Sequence, residues 1–449
     1  MTKSIKIPLS VVMLGMVSFF TDSASEMIYP LIPIYVAALG SGAIALGVIE
    51  GTAETTAALL KLVSGIISDK IGRRKLLVLI GYSISTLARP FTGLVSNAWQ
   101  LVFVRMADRV GKGIRTAPRD ALIASSVDQS IRGKAYGFHR AMDHLGAVIG
   151  PLLAVASLLL LVLWFKVEDP ISALRLTFLL SIIPGILAVL SIVFFVKEAA
   201  PVQRAKASPF RFTLQKFDKN FLRYLLVLVV FTLGNSSDAF LLYRAEEAIR
   251  QSGAALKIVN NIGPLQTLLQ KFGSPQEQTM LINLLFLPVI WSFFHVIKAA
   301  LSTPFSALSD KKGRKFTISI GWATYALVYF SFALLIFLPS EGQVAATFIL
   351  FAIYALYYAF SEGAEKALVA DLVKDEYRGS AFGMYNFAEG LSMLPASIIF
   401  GFLYGYFNLK FPGYGGTVAF SFGGILALVS ITLLLTLVKE PEKVKFSYQ

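Results

Sequence analysis

The stretch Gly65-Ile66-Ile67-Ser68-Asp69-Lys70-Ile71-Gly72-Arg73-Arg74 follows an apolar segment and recurs as Ser306-Ala307-Leu308-Ser309-Asp310-Lys311-Lys312-Gly313-Arg314. The two aspartates lie 241 residues apart. A second pair of stretches, Arg132-Gly133-Lys134-Ala135-Tyr136-Gly137 and Arg378-Gly379-Ser380-Ala381-Phe382-Gly383, lies 246 residues apart and continues to Asp143 and Glu389. This self-similarity predicts two copies of one unit, fused in a single chain.

The composition indicates whether this repeat is surrounded by water or by lipid. Of the 449 residues, 56% are hydrophobic and 15% are charged, whereas soluble domains have about 45–50% and about 25%. The chain is therefore predicted to be a membrane protein, in which the structural unit is a spanning helix of about 20 residues. Because the chain has no cysteine, a disulfide framework and a thiolate metal site are excluded.

Twelve apolar stretches predict an all-α protein with twelve transmembrane helices in two six-helix bundles. The predicted spans are 10–39, 44–68, 75–96, 98–124, 133–163, 172–196, 221–245, 279–308, 316–338, 346–371, 378–406 and 417–438. With the N-terminus inside, the cytoplasmic segments hold 27 Lys and Arg residues and the outer segments hold 7. This bias predicts that both termini are cytoplasmic, and it explains the net charge of +14 without a nucleic-acid partner.

The repeat also divides the chain. It predicts an N-terminal bundle at 1–198, a basic cytoplasmic linker at 199–220 and a C-terminal bundle at 221–449. Ser25-Glu26 matches Ser237-Asp238 at a spacing of only 212 residues, so the outer loop at 245–278 holds roughly 29 extra residues. That loop is interpreted as an inert outer helix, with a lid or a partner-binding loop as the alternatives. Repeats of this kind place a substrate cavity between the halves, near the middle of the membrane.

The quoted loop motif resembles the G-x-x-x-D-x-x-G-R-R motif of the major facilitator superfamily, and the resemblance covers the whole chain. It implies twelve helices, secondary transport, and a cytoplasmic gate at these loops. The gate residues implied by the resemblance are Gly65, Asp69, Gly72, Arg73, Arg74 and Asp120 in the first copy and Asp310, Gly313 and Arg314 in the second. The second copy departs from the motif, because Ser306 replaces its first glycine.

Two further motifs point to a branch of that family. In span 4, Arg105-Met106-Ala107-Asp108-Arg109-Val110-Gly111-Lys112-Gly113 is similar to R-x-x-Q-G-x-G-x-G, with Asp108 and Arg109 as departures. In span 5, Gly137, Gly146, Gly150 and Pro151 are similar to the antiporter motif of exporters, although Ala154-Val155 replaces its final glycine pair. The alternative interpretation of these glycines is close packing of small residues between helices.

Charged residues inside the predicted spans are the strongest functional signal in the sequence itself. Each costs at least ~2.5 kcal/mol at the bilayer centre on insertion scales, so they are expected to pair with one another or to line a wet cavity. The residues proposed for proton coupling and the substrate cavity are Asp22, Glu26, Glu50, Glu54, Arg105, Asp108, Arg109, Arg140, Asp143, Glu362 and Glu389.

Helical spacing groups these residues. Asp22 with Glu26, and Glu50 with Glu54, are four residues apart on spans 1 and 2, while Arg105, Asp108 and Arg109 share a face of span 4, and Arg140 and Asp143 a face of span 5. Burial favours a neutral carboxyl group and arginine favours a charged one, so a carboxylate held between the two effects can exchange protons. Glu26, Glu54 and Asp143 are the first candidates, Asp22 and Asp108 the next, and Arg105 is the expected partner. Structural ion pairs between the spans are the alternative.

The predicted function is export of a small amphipathic organic molecule, such as a drug, siderophore or metabolite, in exchange for protons. The alternatives are a proton-coupled importer of a sugar or amino acid, a lipid transporter, and a non-transporting receptor or scaffold. No ATP-binding or catalytic motif stands out, so neither an enzyme nor a cofactor is expected, and the proton gradient supplies the energy. The expected partners are protons, the substrate and the lipid bilayer, and the expected location of the monomer is a bacterial inner membrane.

Overall fold

The fold is helical throughout the part of the chain that the structure describes. A computed structural model describes residues 8–71, 73–128, 131–198, 217–252, 254–374 and 377–440. Within them, 11 helical stretches are long and apolar enough to cross a membrane. The twelfth crossing is span 4, Ala98–Ser125, which holds Arg105, Asp108, Arg109, Lys112 and Arg115 and is therefore less apolar than the others. The prediction of an all-α membrane protein is confirmed.

The spans are numbered 1 to 12 in chain order. The N-terminal half consists of span 1 (Leu9–Glu26, Tyr29–Leu31 and Ile32–Ala38), span 2 (Ala43–Ile71), span 3 (Arg74–Ala88 and Arg89–Leu94), span 4 (Ala98–Ser125), span 5 (Arg132–Leu163) and span 6 (Pro170–Leu180 and Ile182–Phe195). The C-terminal half consists of span 7 (Lys219–Gly234 and Ala239–Ser252), span 8 (Pro275–Lys312), span 9 (Arg314–Leu334 and Leu335–Phe337), span 10 (Ser340–Asp371), span 11 (Arg378–Lys410) and span 12 (Gly415–Leu437).

Spans 1 and 7 are broken at corresponding places. The first helix of span 1 ends at Glu26, and a short 3-10 turn that contains Pro30 precedes the outer helix. Proline lacks an amide hydrogen, so one helical hydrogen bond is missing at this position. In span 7 the first helix ends at Gly234 and the second begins at Ala239. Glu26 and Asp238 therefore both stand at helix ends in the interior of the molecule.

The halves meet along two pairs of spans. Span 2 packs on span 11, and span 5 packs on span 8. A Cβ atom added to Gly47 would lie 2.3 Å from the Ser397 carbonyl oxygen, and one added to Gly401 would lie 2.5 Å from that of Ala43. Glycine at these positions therefore allows the outer parts of spans 2 and 11 to touch through their backbones.

Two glycines of the antiporter-type motif, Gly146 and Gly150, face span 1. Added Cβ atoms on Gly146 and Gly150 would lie 2.5 Å from the Phe19 carbonyl oxygen and 2.6 Å from that of Ser23. Span 5 remains a single helix through Pro151, and around Gly137 an added Cβ would meet nothing within 4 Å. The observed geometry is the close helix packing that was the alternative interpretation of this motif.

The outer loop differs from its predicted bounds. Residues 245–252 continue the helix of span 7, and they are followed by two short helices, Ala254–Asn260 and Gly263–Leu269. The helix can continue because its charges are paired: Arg244 contacts Glu247 at 2.9 Å, and Glu247 accepts a hydrogen bond from Tyr404. Ser274 and Glu277 then form a capping box that begins span 8.

The structure describes the second copy of the loop motif more fully than the first. In the second copy, Arg314 pairs with Asp310 and lies 3.0 Å from Asp371 at the inner end of span 10, while Gly313 adopts a φ of 105° that favours glycine. In the first copy, the side chain of Asp69 and the whole of Gly72 lie outside the described residues. There the described partner of Asp120 is Arg119, at 2.9 Å, and not Arg73.

Two carboxylates at this inner face were not foreseen. Glu198 accepts hydrogen bonds from the backbone amides of Arg74 and Lys75, at 3.1 and 3.0 Å, at the start of span 3. Glu440 accepts one from the backbone amide of Arg314 at the start of span 9. The chain that leaves each bundle thus caps the helix that follows the loop motif. A Cβ atom added to Gly65, at the inner part of span 2, would lie 3.5 Å from the Cβ of Ala117 of span 4.

Candidate functional site

The N-terminal half contains a ladder of ion pairs between spans 2 and 4. Arg105 Nη2 lies 2.8 Å from Glu50 Oε1, and Arg109 Nη2 lies 2.8 Å from Glu54 Oε1. The residues of each helix are four positions apart, so both pairs form on facing surfaces, one turn above the other. Glu50 is fully buried. A buried charge needs a partner of opposite charge. In each pair of this ladder, the arginine and the glutamate therefore offset each other's cost of burial inside the membrane.

Span 3 supplies a third arginine. Arg89 Nε lies 3.0 Å from Asp108 Oδ1, and the second carboxylate oxygen lies 4.0 Å from Arg105 and 3.7 Å from Arg109. Asp108 therefore stands among three guanidinium groups. The departure from the family pattern at Asp108 and Arg109 is explained by this network, in which both side chains are buried and paired.

The C-terminal half holds its central carboxylate by a different means. Asp238, at the break of span 7, accepts hydrogen bonds from the hydroxyl groups of Tyr354 at 2.6 Å and Tyr358 at 2.9 Å. Deeper in this half, Glu365 accepts bonds from Trp322 Nε1 at 2.8 Å and Tyr385 at 3.0 Å. Aromatic side chains thus serve as hydrogen-bond donors to the carboxylates of this half.

Several contacts join the halves at mid-height. Trp291 Nε1 of span 8 donates to Glu26 Oε2 of span 1 at 2.7 Å, and His295 Nε2 lies 4.0 Å from the same oxygen. The Tyr29 and Ser237 hydroxyls are 3.2 Å apart. The rings of Tyr29 and Trp291 have centroids 5.3 Å apart. These groups form a layer that separates a cavity at the inner face from another at the outer face.

Glu26 differs from the other carboxylates of the N-terminal half in its partners. Among the described ion pairs, it has none with Lys or Arg, whereas Glu50, Glu54 and Asp108 each have an arginine within 3.0 Å. Adding a proton to Glu50 would remove the nearest countercharge of the buried Arg105 and leave it only Asp108 at 4.0 Å, at a cost of several kcal/mol. Adding a proton to Glu26 leaves no arginine or lysine without its countercharge.

The remaining acidic candidates of spans 1 and 5 lie close together. Asp143 accepts a hydrogen bond from Ser18 and lies 3.8 Å from His139 Nδ1 and 4.0 Å from Arg140. The histidine at ion-pair distance from Asp143 is thus His139. Asp22 packs against span 5, with its Cβ 3.1 Å from a Cβ added to Gly146.

The inner cavity lies between spans 5, 8 and 10 and has a volume of about 710 Å³. Its charged and hydroxyl-bearing walls come from both halves, namely Arg140, Ser302, Thr303, Ser306, Tyr358, Glu362 and Lys366. Arg140 of span 5 pairs with Glu362 of span 10 across it. Glu389 lies on span 11 beside Gly390, whose carbonyl accepts a hydrogen bond from Thr55 of span 2 at 2.7 Å.

The outer cavity, of about 670 Å³, lies between span 1 and spans 7 and 8. Its two charged wall residues are paired with each other, since Arg250 Nε lies 3.1 Å from Glu246 Oε1. The same Glu246 oxygen accepts a hydrogen bond from Asn283 at 3.1 Å. Sequence reasoning had placed Glu246 and Arg250 in an outer loop, and their spacing of four residues was the signal for the pair.

Comparison with known proteins identifies the architecture. The family model of the Major Facilitator Superfamily matches residues 14–247 and 251–448. An uncharacterised transporter of that type from Methanocaldococcus jannaschii is 32% identical over 426 residues, which cover 95% of this chain and 94% of that protein. The multidrug resistance efflux pump PmrA of Streptococcus pneumoniae is 28% identical over 197 residues, which cover 43% of this chain and 46% of that protein.

Solved structures share the fold at low identity. The nucleoside transporter NupG, as a D323A mutant, superposes with a TM-score of 0.74 at 13% identity, covering 96% of this chain and 100% of that one. A D-xylose–proton symporter superposes with a TM-score of 0.67 at 17% identity, covering 96% and 97% of the two chains. These similarities concern the fold alone.

Proposed function

The chain belongs to the major facilitator superfamily, and from this premise we propose that it is a proton-coupled antiporter that exports a small amphipathic organic molecule. Alternating access would be achieved by rocking of the two bundles about the mid-height layer. The inner cavity would then receive the substrate, and the outer cavity would release it. The proton gradient would supply the energy, with no cofactor.

The observation that carries the proposal is the environment of Glu26. It is a partly buried carboxylate at the interface of the halves, it takes its 2.7 Å hydrogen bond from Trp291 of the opposite half, and its protonation leaves no arginine unpaired. A proton on Glu26 would remove the charge that the Trp291 N–H now stabilises. The contact between the halves would weaken, and the bundles could separate on the outer side.

Two other findings favour export over import. The spacing of Gly137, Gly146, Gly150 and Pro151 resembles a motif of exporters, although its glycines also serve packing. The partial relatives include PmrA and the multidrug resistance protein MdtG of Salmonella schwarzengrund, which is 26% identical over 34% of this chain. The receptor or scaffold alternative gives no use to Glu26 and to the cavities on both sides of it.

The proposal is tested with purified protein in liposomes that enclose a pH-sensitive dye. Organic acids, organic cations, sugars and amino acids are added under an imposed proton gradient. We expect opposed movement of protons and one class of compound, and we expect Glu26→Gln to abolish proton movement while the protein stays folded, because glutamine can still accept from Trp291.

The matched control is Glu341→Gln, which makes the same chemical change at an exposed carboxylate of the outer face. It should transport as the wild type does. Movement of protons and substrate in the same direction would make the protein an importer. Unchanged proton coupling in Glu26→Gln would remove Glu26 from the mechanism, and the proposal would lose its basis.

A further inference from the structure

The inner cavity has more positive than negative groups at its centre. Glu362 is approached by three cations: Arg140, Lys366 with its Nζ at 3.1 Å, and Lys298 with its Nζ at 3.8 Å. A guanidinium has five N–H donors and each ammonium has three, whereas one carboxylate offers two oxygens. Most of this donor capacity is therefore not used by Glu362.

A second carboxylate within ion-pair distance of these cations already has its own contacts. Asp143 lies 4.0 Å from Arg140, but it faces Ser18 and His139 on the side of span 1. Among the described groups that lie within 4.0 Å of one another here, three are cations and two are carboxylates. Asp238 and Glu389 act on Lys298 and Lys366 from a greater distance. The outer cavity offers the contrast, because its Glu246 and Arg250 balance each other.

The arrangement of the cations suits a ligand between the halves. Arg140 belongs to span 5 of the N-terminal half, whereas Lys298 and Lys366 belong to spans 8 and 10 of the C-terminal half. Lys298 is only 13% exposed and adjoins the cavity through two of its wall residues, since its Nζ lies 3.8 Å from Glu362 and 3.6 Å from the centre of the Tyr358 ring. An acid group at this point would contact both bundles at once, and arginine is suited to grip it with two parallel hydrogen bonds.

The rest of the cavity suits the body of such a molecule. Its apolar wall consists of Ala141, Leu145, Val148, Val296 and Ala299. The volume of about 710 Å³ lies within the range of about 300–1,000 Å³ usual for small-molecule sites. The cavity therefore combines an apolar wall with a positively charged point beside Tyr358.

We propose that the transported molecule is an organic anion, with an acid group that binds Arg140 and Lys298 and an apolar body that lies along spans 5 and 8. This inference rests on the proposed function, since it names the substrate class of the same transporter. The acid group takes over part of the donor capacity that Glu362 leaves unused. Because it links the halves, its arrival favours the arrangement in which they close around it.

The test compares matched compounds on the purified full chain. Phenylacetate and phenyl phosphate carry an acid group, phenylacetamide is neutral, and phenethylammonium is a cation of similar size. Binding is measured by calorimetry and by the rise in Tm. We expect the acids to bind at millimolar concentration or below and the amide and the ammonium at least about tenfold more weakly, as the loss of a charge-assisted hydrogen bond predicts.

The variants Arg140→Gln and Lys298→Gln should each weaken binding of the acids by about tenfold or more, with little effect on the amide. Lys257→Gln removes the same charge from the exposed outer face, where Lys257 pairs with Glu341, and should bind as the wild type does. Binding of phenylacetate alone would identify a carboxylate as the acid group, and binding of phenyl phosphate alone a phosphate.

The two proposals can fail separately. If an amine or a sugar is transported in exchange for protons while neither acid binds, antiport stands and the anion inference is overturned. If the acids bind through Arg140 and Lys298 but no proton moves against them, the substrate class stands and antiport is wrong. Equal binding of acid, amide and ammonium, or acid binding unchanged in both variants, would also overturn the inference.

Discussion

The two halves share one fold, yet carboxylates at the centre of each half are held in different ways. In the N-terminal half, Glu50, Glu54 and Asp108 are each paired with an arginine within 3.0 Å. In the C-terminal half, Asp238 and Glu365 accept hydrogen bonds from tyrosine and tryptophan. Arginine pairs fix the charge of a carboxylate, whereas neutral donors stabilise it without supplying a countercharge. Repetition of a fold therefore does not impose repetition of its chemistry.

The largest expected effect comes from breaking the ion-pair ladder. Arg105→Met leaves Glu50 buried without its countercharge and should lower the free energy of unfolding by about 3–5 kcal/mol. The double variant Glu50→Gln/Arg105→Met should recover much of this loss, since neither charge remains. Thermal unfolding in detergent measures both. A single variant as stable as the wild type would show that the ladder is not needed for stability.

The next effect concerns the contact between the halves. A methyl group added by Gly47→Ala would meet the Ser397 carbonyl oxygen, and overpacking of this kind costs about 1–3 kcal/mol. We expect the outer ends of spans 2 and 11 to separate more often. Because the chain has no cysteine, the single variant Ile34→Cys can report this as faster labelling by a maleimide that does not cross membranes.

The control for that experiment is Gly342→Ala, where an added Cβ meets nothing within 4 Å. Its labelling rate should equal that of the parent Ile34→Cys protein. An equal labelling rate in Gly47→Ala would mean that the backbones of spans 2 and 11 move apart freely even without the added methyl group.

A smaller effect tests the aromatic donors of the C-terminal half. Tyr354→Phe removes one of the two hydroxyl bonds to Asp238 and should cost about 0.5–1.5 kcal/mol of stability, because Tyr358 continues to donate. The variant with both tyrosines replaced should lose more than the sum, since it leaves a buried carboxylate without a donor. Losses as large as that of Arg105→Met would remove the distinction between the halves.

The smallest effect is expected at the outer surface. Lys257→Gln breaks an ion pair with Glu341 in which both side chains are about 70% exposed. Such pairs contribute little, because water and salt screen them. Neither the Tm in detergent nor the transport rate should change measurably, and a clear fall in either would assign the outer loop a part in the mechanism.

The sequence allowed the spans and the charged helix faces of the ladder to be predicted, because both depend on local spacing, but it did not predict which face pairs with which. Glu50 and Glu54 are four residues apart, as are Arg105 and Arg109, so each pair marks one face of one helix. The bond between Trp291 and Glu26 could not be predicted in this way. The two residues are 265 positions apart, and their contact depends on how two separate bundles dock.

Other errors have equally physical causes. The helix of span 7 was predicted to end at 245 because Arg244, Glu246 and Glu247 form a polar stretch. They are nevertheless buried, since each charge finds a partner: Arg244 with Glu247, and Glu246 with Arg250. A prediction from apolar patterning treats each charged residue by itself. The free-energy cost of burying a charge depends on whether the charge has a partner.

The backbone contact of Gly47 with Ser397 and of Gly401 with Ala43 has a consequence for the conditions that the protein can tolerate. At those contacts, glycine hydrogens meet main-chain oxygens, and neither can gain or lose a proton. Salt screens the interactions of exposed charges but has little effect on van der Waals contacts from which water is excluded. Acid or high salt outside the cell would alter carboxylates such as Glu341, whereas the contact of these backbones contains no group that acid protonates and no charge that salt screens.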